Sequence, residues 1–286
     1  MAALLEVVLL SYRHSFHAGN FADVLKHVVL VEILDYLTRK ESAFDYIDTH
    51  AGAGLFNLQS ADAVKLAEYA DGIGRLAARD FPELARYLEV IYSFNSTFSL
   101  SVYPGSPAIA GYFLRPQDRA WLYELHPQDY KQLSRNMQSR RRVRVANEDG
   151  LKGLLGLLPP VSRRALVHID PSYEIKADYD HVVEVLVKAH KKFATGVYAL
   201  WYPVVERPRI VEMERKLLRS GIQNVHRFEL GVAADSDSRG MTAAGMFIIN
   251  PPWTLPERMS AILPRLSQIL SVDGKHSFKC EVISNL

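Results

Sequence analysis

Two short stretches of this chain combine residue types that can do chemistry. The first, Phe44-Asp45-Tyr46-Ile47-Asp48-Thr49-His50-Ala51-Gly52-Ala53-Gly54, is an apolar run ending in a carboxylate, followed by two glycines one residue apart. A buried parallel strand finishes this way when its loop must let a nucleotide-like ligand touch backbone. Gly52 and Gly54 lack a Cβ, so the loop can turn with positive φ and present N–H groups. Asp48 can accept from a ligand's amino or hydroxyl groups. Alone this string is weak, because many like it are ordinary strand-to-turn punctuation.

The second stretch, Leu166-Val167-His168-Ile169-Asp170-Pro171-Ser172-Tyr173, ends another apolar run in acid, proline and aromatic ring. An amine conjugated to a purine or pyrimidine is a poor nucleophile, since its lone pair is delocalised. The Asp170 carboxylate and the Pro171 carbonyl can accept both amino hydrogens, orient the nitrogen and take the released proton. Tyr173 offers a face on which a flipped base stacks. Together the two stretches point to S-adenosylmethionine and methylation of an amino nitrogen, a reaction accelerated largely by positioning. No metal-ligand spacing is present in the sequence, and no metal is expected.

A rival motif, Asn250-Pro251-Pro252-Trp253, matches an amino-methyltransferase signature letter for letter. Ligands of open α/β sheets bind beyond the carboxyl ends of parallel strands, where strand order reverses. Asp170 ends a strand expected beside the first, next to Asp48 and Gly52. Asn250 ends a strand expected to return antiparallel, which places it at the opposite edge. Asp170 is therefore the expected catalytic acid.

The elements that must position these residues read as a class I, Rossmann-like fold with a seven-stranded, mostly parallel sheet. A helix starts at Asn20, which can cap it, with Val24, Val28, Val31 and Leu34 at helical spacing. His27 falls on its apolar face, where a histidine is most often a satisfied core residue. Strands are expected at about 44–48, 120–124, 143–146, 165–169, 195–202, 225–230 and 246–250. The second ends in Glu124, where a carboxylate accepts ribose hydroxyls. The third is followed by Asp149-Gly150, where an adenine ring would lie.

Glu124 stands much further from the glycine loop than a plain dinucleotide unit allows. An inserted helical subdomain, 59–102, with stripes Leu66, Tyr69, Ile73, Leu76 and Leu84, Leu88, Ile91, accounts for the excess. The core would then be 9–58 with 103–286, its N-terminal arm being 9–20. The loop 231–244 is long and polar, the sort that covers a site. Arg140, Arg141, Arg142 and Arg144 could grip phosphates, or be a solvated helix end; the second reading is preferred here.

A net charge of +2 leaves nucleic-acid binding to local patches. The single cysteine excludes an internal disulfide and fits a reducing cytoplasm. Met1–Leu10 is too short to span a bilayer, so a soluble protein free of membranes is expected.

The arm Ser11-Tyr12-Arg13-His14-Ser15-Phe16-His17-Ala18-Gly19-Asn20, followed by Ala22-Asp23-Val24-Leu25-Lys26-His27, closely resembles the start of the RlmJ-type 23S rRNA adenine-N6 methyltransferases. So do Asp48 to Gly54, Tyr103-Pro104-Gly105-Ser106-Pro107 and Asp170-Pro171-Ser172-Tyr173-Glu174. The resemblance covers nearly the whole chain from about Leu10. It implies S-adenosylmethionine contacts at His27, His50, Ser106, Glu124, Asp149 and Gly150, joined by Lys26, Asp48, Gly52, Gly54 and Asp170. It further implies that Asp170, with Pro171 and Tyr173, is the catalytic group. Tyr12, Arg13, Lys26 and Tyr173 would meet 23S rRNA, naked or in an assembly intermediate, as a monomer in the cytoplasm. This overrides the core-histidine reading of His27.

Two departures stand out. The family usually has proline where this chain has Ser172, which removes neither acceptor. Its members tend to begin near Leu9 or Leu10, so no function is expected of Met1–Val8. Three alternatives are a catalytically silent RNA-binding assembly factor, a DNA adenine-N6 methyltransferase and a nicotinamide dehydrogenase. The intact Asp170 motif, the arm and the missing third glycine speak against them in turn.

Overall fold

The computed structural model describes residues 14–77, 80–96, 99–138, 140–235, 240–272 and 274–284. Tyr12 and Arg13, expected at the RNA, lie outside the described residues, as do 236–239 of the long loop.

The strands β1 (Asp45–Asp48), β6 (Ala165–Ile169), β7 (Val197–Val204) and β9 (Ala243–Ile249) are buried along their full length. Continuous apolar runs of this kind mark strands covered on both faces. With β4 (Arg119–Tyr123), β5 (Val143–Ala146), β8 (Val225–Gly231) and β10 (Ser277–Val282) they form one sheet ordered β10-β8-β9-β7-β6-β1-β4-β5. β4 and β6 flank β1 in parallel, and β5 and β7 continue outward in parallel. β9 runs antiparallel between β7 and β8. The sheet is Rossmann-like and mostly parallel, as expected.

It has eight strands rather than seven. The extra strand, β10, pairs antiparallel with β8 at the far edge. Its half-exposed Ser-Phe-Lys-Cys-Glu-Val lacks the apolar run of its neighbours, which hid it in the sequence.

Helix α1 (Phe21–Thr38) is capped by Asn20, whose side chain accepts from the Ala22 and Asp23 N–H groups. From Ala22 to Leu34 only Glu32 is not buried. The helix packs on β9 and against neighbouring helices. Between β2 (Leu55–Asn57) and β3 (Val102–Pro104), which pair as a ribbon, lie α2 (Ala61–Leu66), α3 (Glu68–Asp71) and α4 (Ala85–Ser93). Single 3-10 turns occupy Ile73–Arg75 and Pro82–Leu84.

The continuous helical pair expected here is thus broken into pieces. Ala67 adopts φ +50° and splits the first apolar stripe. Ile73, Leu76, Leu84, Leu88 and Ile91 still join the central hydrophobic cluster. Leu66 stays 48% exposed.

The remaining helices are α5 (Ser106–Phe113), α6 (Pro127–Met137), α7 (Gly150–Leu157), α8 (Asp178–Lys192), α9 (Arg207–Arg219) and α10 (Leu255–Leu270). α8 carries Asp178 and Asp180 at the positive end of its dipole. α10, with Pro264 inside it, was disguised by its prolines. Among the described residues no helix is long and apolar enough to cross a membrane.

The arm meets the broken-helix segment at a backbone-to-backbone contact. A Cβ on Gly72 would come within 2.0 Å of the Gly19 carbonyl oxygen. Gly72→Ala should therefore destabilise the fold by about 1–3 kcal/mol in denaturant titration, and wild-type stability would show that the two backbones separate freely.

Candidate functional site

A cleft of about 900 Å³ opens over the carboxyl ends of β1, β4 and β6, where strand order reverses. Its first wall is the glycine loop after β1. Gly52 and Gly54 adopt φ +59° and +79°. The loop is fastened to the neighbouring strand, for the Gly52 N–H donates to Glu124 Oε2 at 2.7 Å. Glu124 Oε1 accepts from the His126 N–H at 2.7 Å. No cation pairs with Glu124 among the described residues, and burial pushes its carboxyl up to about 7. Such a group in a cleft is an acceptor ready for hydroxyl donors.

Asp48 lies just beneath and does not line the cleft. Its Oδ2 accepts from the Tyr46 and Ser106 hydroxyls, both at 2.7 Å. Burial nevertheless raises its carboxyl to about 6, against the pull of those bonds. Burial also lowers His50 to about 4, and its Nδ1 meets Thr49 Oγ1 at 2.8 Å. Asp149 caps α7 through Leu151 and Lys152 N–H groups.

Gly150 does not itself line the cleft, though Asp149 and Leu151 on either side of it do. A Cβ there would sit 2.1 Å from the Thr49 carbonyl oxygen, so glycine lets α7 approach the β1 loop. Gly54 likewise packs behind the wall, against Leu133 and Met137.

The second wall carries the charges. Lys26 is buried on α1, and its Nζ lies 2.5 Å from Asp170 Oδ2 and 3.0 Å from Asp23 Oδ1. Burial alone would lower the ammonium's pKa, but Asp170 and Asp23 outweigh it and raise it. Asp23 also accepts from the Gly19 N–H at 2.9 Å and meets His14 Nε2 at 2.8 Å. Burial opposes its ionisation, yet His14 and Lys26 hold it well below the usual carboxylate range. Burial pushes Asp170 the other way, upward, with Lys26 opposing. His27 is driven down to about 3 by burial and hydrogen-bonds the Tyr103 hydroxyl at 2.8 Å.

Beyond Asp170 the wall turns aromatic. Tyr173 adopts φ +54° and its hydroxyl donates to the Trp201 carbonyl at 2.6 Å. Its ring centroid lies 4.4 Å from that of Tyr179 and 5.8 Å from that of Trp201.

Of the residues singled out in the sequence, Lys26, His27, His50, Gly52, Ser106, Glu124, Asp149, Asp170, Pro171 and Tyr173 all line this one cleft. Asp23 and Trp201 were missed. Asp23 carried a signal, being one helical turn before Lys26 on the same face; Trp201 carried none, as β7 is apolar throughout. Asn250 sits at the other end of the sheet, where its side chain donates to the Ala194 and Gly196 carbonyls. Among the described residues no cluster of ligands could hold a metal.

The family model described as Ribosomal RNA large subunit methyltransferase D, RlmJ, matches residues 41–282. The chain belongs to this family. A relative named Ribosomal RNA large subunit methyltransferase J from Escherichia coli strain K12 is 51% identical, over 93% of this chain and 96% of its own. Its namesake from Haemophilus influenzae is 49% identical, over 96% and 99%. A crystal structure of a protein from Legionella pneumophila, 38% identical, superposes with a TM-score of 0.84 and covers 93% of this chain and 98% of that one. The architecture is that of the class I methyltransferases.

Asp48 yields a test of the wall's electrostatics. A carboxyl raised from 3.8 to about 6 on folding binds its proton more tightly in the folded state. Its favourable contribution is full below pH 3.8 and is lost as pH rises through about 6. The stability of Asp48→Asn relative to wild type should therefore climb across that window, by up to about 3 kcal/mol in denaturant titrations. A pH-independent difference would place Asp48 in a solvated, ordinary environment.

Proposed function

We propose that this chain is an S-adenosylmethionine-dependent enzyme that methylates N6 of an adenine in 23S rRNA. The relatives named above, by their names, act on large-subunit ribosomal RNA. One observation carries the amino-nitrogen reading: Asp170 stands at the carboxyl end of β6 with a single oxygen tied to Lys26. Its Oδ1 has no protein partner among the described residues, and the Pro171 backbone borders the same cleft. A flipped adenine entering there finds two acceptors for its two amino hydrogens and aromatic surface from Tyr179 and Trp201.

The residues of the first wall fit the proposed cofactor. The pocket's size suits a nucleoside ligand, and Glu124 presents unsatisfied acceptor capacity without a cation. His50, Ser106 and Asp149 border the same space, with Leu151 supplying apolar contact. Bound S-adenosylmethionine supplies the methyl group. The chain's own residues bind it, exclude water and hold the amine in line. Lys26 opposes the upward push of burial on Asp170 and holds its Oδ2, so that the carboxyl orients the amine by accepting a hydrogen bond and receives or relays the released proton. We place the protein in the cytoplasm as a monomer acting on naked or partly assembled RNA.

Incubation with S-adenosylmethionine and unmodified, protein-free 23S rRNA, then digestion to nucleosides and mass analysis, should yield N6-methyladenosine. Asp170→Ala should lower the rate by about 10²- to 10⁴-fold. RNA and cofactor binding without any methylated nucleoside would favour an assembly factor, and methylation of DNA alone would favour a DNA enzyme.

Glu124 sets a second expectation. With its carboxyl near 7, ribose hydroxyls are best received by the ionised form. Cofactor affinity measured by calorimetry should rise with pH and level off above about 7, and Glu124→Gln should abolish that rise. A flat wild-type profile would remove Glu124 from the ribose site.

A further inference from the structure

A second concavity, of about 280 Å³, lies away from the cleft at the β5 edge of the sheet. It is lined by Arg119, Arg141, Arg142 and Arg144, with Trp121 and Ala120 between them. All four arginines are exposed. Many other arginines of this chain are paired with carboxylates: Arg115 with Asp118, Arg207 with Glu229 and Asp235, Arg227 with Glu214 and Glu281, Arg258 with Glu32. Among the described residues none of the four at this edge has a carboxylate partner.

The acids close to them are already engaged. Asp118 is held by Arg115, and Asp45 is buried, accepting from Trp121 Nε1 at 2.9 Å and Ser162 Oγ at 2.5 Å. Arg144 is held in place with its guanidinium carbon 5.1 Å from the Trp121 ring centroid. Four like charges gathered without counter-charge repel one another, unless a polyanion supplies the missing sign. The helix-end reading preferred from sequence explains exposure, but it does not explain convergence on one groove from β4, β5 and the turn after α6.

We propose that this groove is a docking strip for the phosphodiester backbone of the substrate RNA, outside the methylation cleft. The strip rests on the methyltransferase reading for the identity of its RNA. β4 connects the two places directly. Arg119 opens the strand at the groove and Glu124 follows its end at the cleft, five residues or about 17 Å along an extended chain. An RNA that delivers a base to Asp170 thus reaches the arginines with its flanking backbone. Guanidinium groups suit phosphate oxygens because their planar forks can donate two parallel hydrogen bonds. The strip adds affinity that does not depend on sequence, while selection of the base stays in the cleft.

The test is binding of protein-free 23S rRNA transcript to the full chain between about 50 and 200 mM salt. A variant with Arg119, Arg141, Arg142 and Arg144 all changed to Gln should flatten the slope of log affinity against log salt by about 3, at roughly 0.7–0.9 per phosphate lost. Its affinity for S-adenosylmethionine should match wild type. Changing all four to Lys should restore most of the slope, because the charge is kept. Arg141→Gln alone should flatten it by roughly 0.7–0.9, a result available even if the fourfold variant folds poorly. A wild-type slope and affinity in both Gln variants would overturn the strip, and so would failure of the Lys variant to recover the slope. A wild-type protein that binds RNA with the full slope yet makes no methylated nucleoside would sink the methyltransferase reading alone. Loss of slope in the Gln variants would still support the strip.

Discussion

One buried ammonium organises the Asp170 wall of the cleft. Lys26 bridges Asp23, on its own helix, to Asp170, at the end of a central strand. Three charges in so dry a place are costly, and removing one partner of a buried pair typically costs about 3–5 kcal/mol. A well-packed apolar trio would be as stable or more so. The arrangement is better understood as positioning. It fixes where one carboxylate oxygen of Asp170 points and leaves the other without a protein partner among the described residues. Asp23 extends the same network to the Gly19 N–H and to His14, so that the start of α1, the arm and the acid of β6 share one set of hydrogen bonds.

On the opposite wall burial outweighs the hydrogen bonds that oppose it, and among the described residues no cation helps them. Glu124 and Asp48 are both raised toward neutrality, but they differ in where their acceptors point. Asp48 uses its oxygens on Tyr46, Ser106 and the His50 N–H, stiffening the β1 loop from behind. Glu124 spends its oxygens on two backbone N–H groups of the cleft wall and retains lone pairs for a ligand. Two carboxylates that look alike at the ends of adjacent strands therefore divide into a structural brace and a group that lines the cleft with acceptor capacity to spare.

Much of the parallel sheet was legible because its strands are long apolar runs punctuated by acids and glycines. β5 and β6 fall on the residues read from sequence, and Asn250 lies at the end of the sheet away from Asp170, as its antiparallel strand requires. The broken segment between β2 and β3 was not legible as such. Its stripes are apolar at helical spacing, while Ala67 in a left-handed conformation and Gly72 against Gly19 interrupt them. β10 was hidden by its half-solvated pattern, and Trp201 by sitting in a strand where every neighbour is apolar too. Gly150 shows the converse limit. The sequence marks Asp149-Gly150 as the place of an adenine ring but does not show that the space beside the Gly150 Cα is filled by the backbone of Thr49.

The measurement that bears most directly on this account is single-turnover methyl transfer to 23S rRNA by Lys26→Met, at saturating cofactor and RNA. If Lys26 aims Asp170 and opposes the neutralising effect of its burial, the rate should fall by at least about 10²-fold while the cofactor dissociation constant stays close to wild type. A methyl-transfer rate near that of wild type would contradict it, and would mean that Asp170 works without the ammonium that the surrounding structure is built to bury.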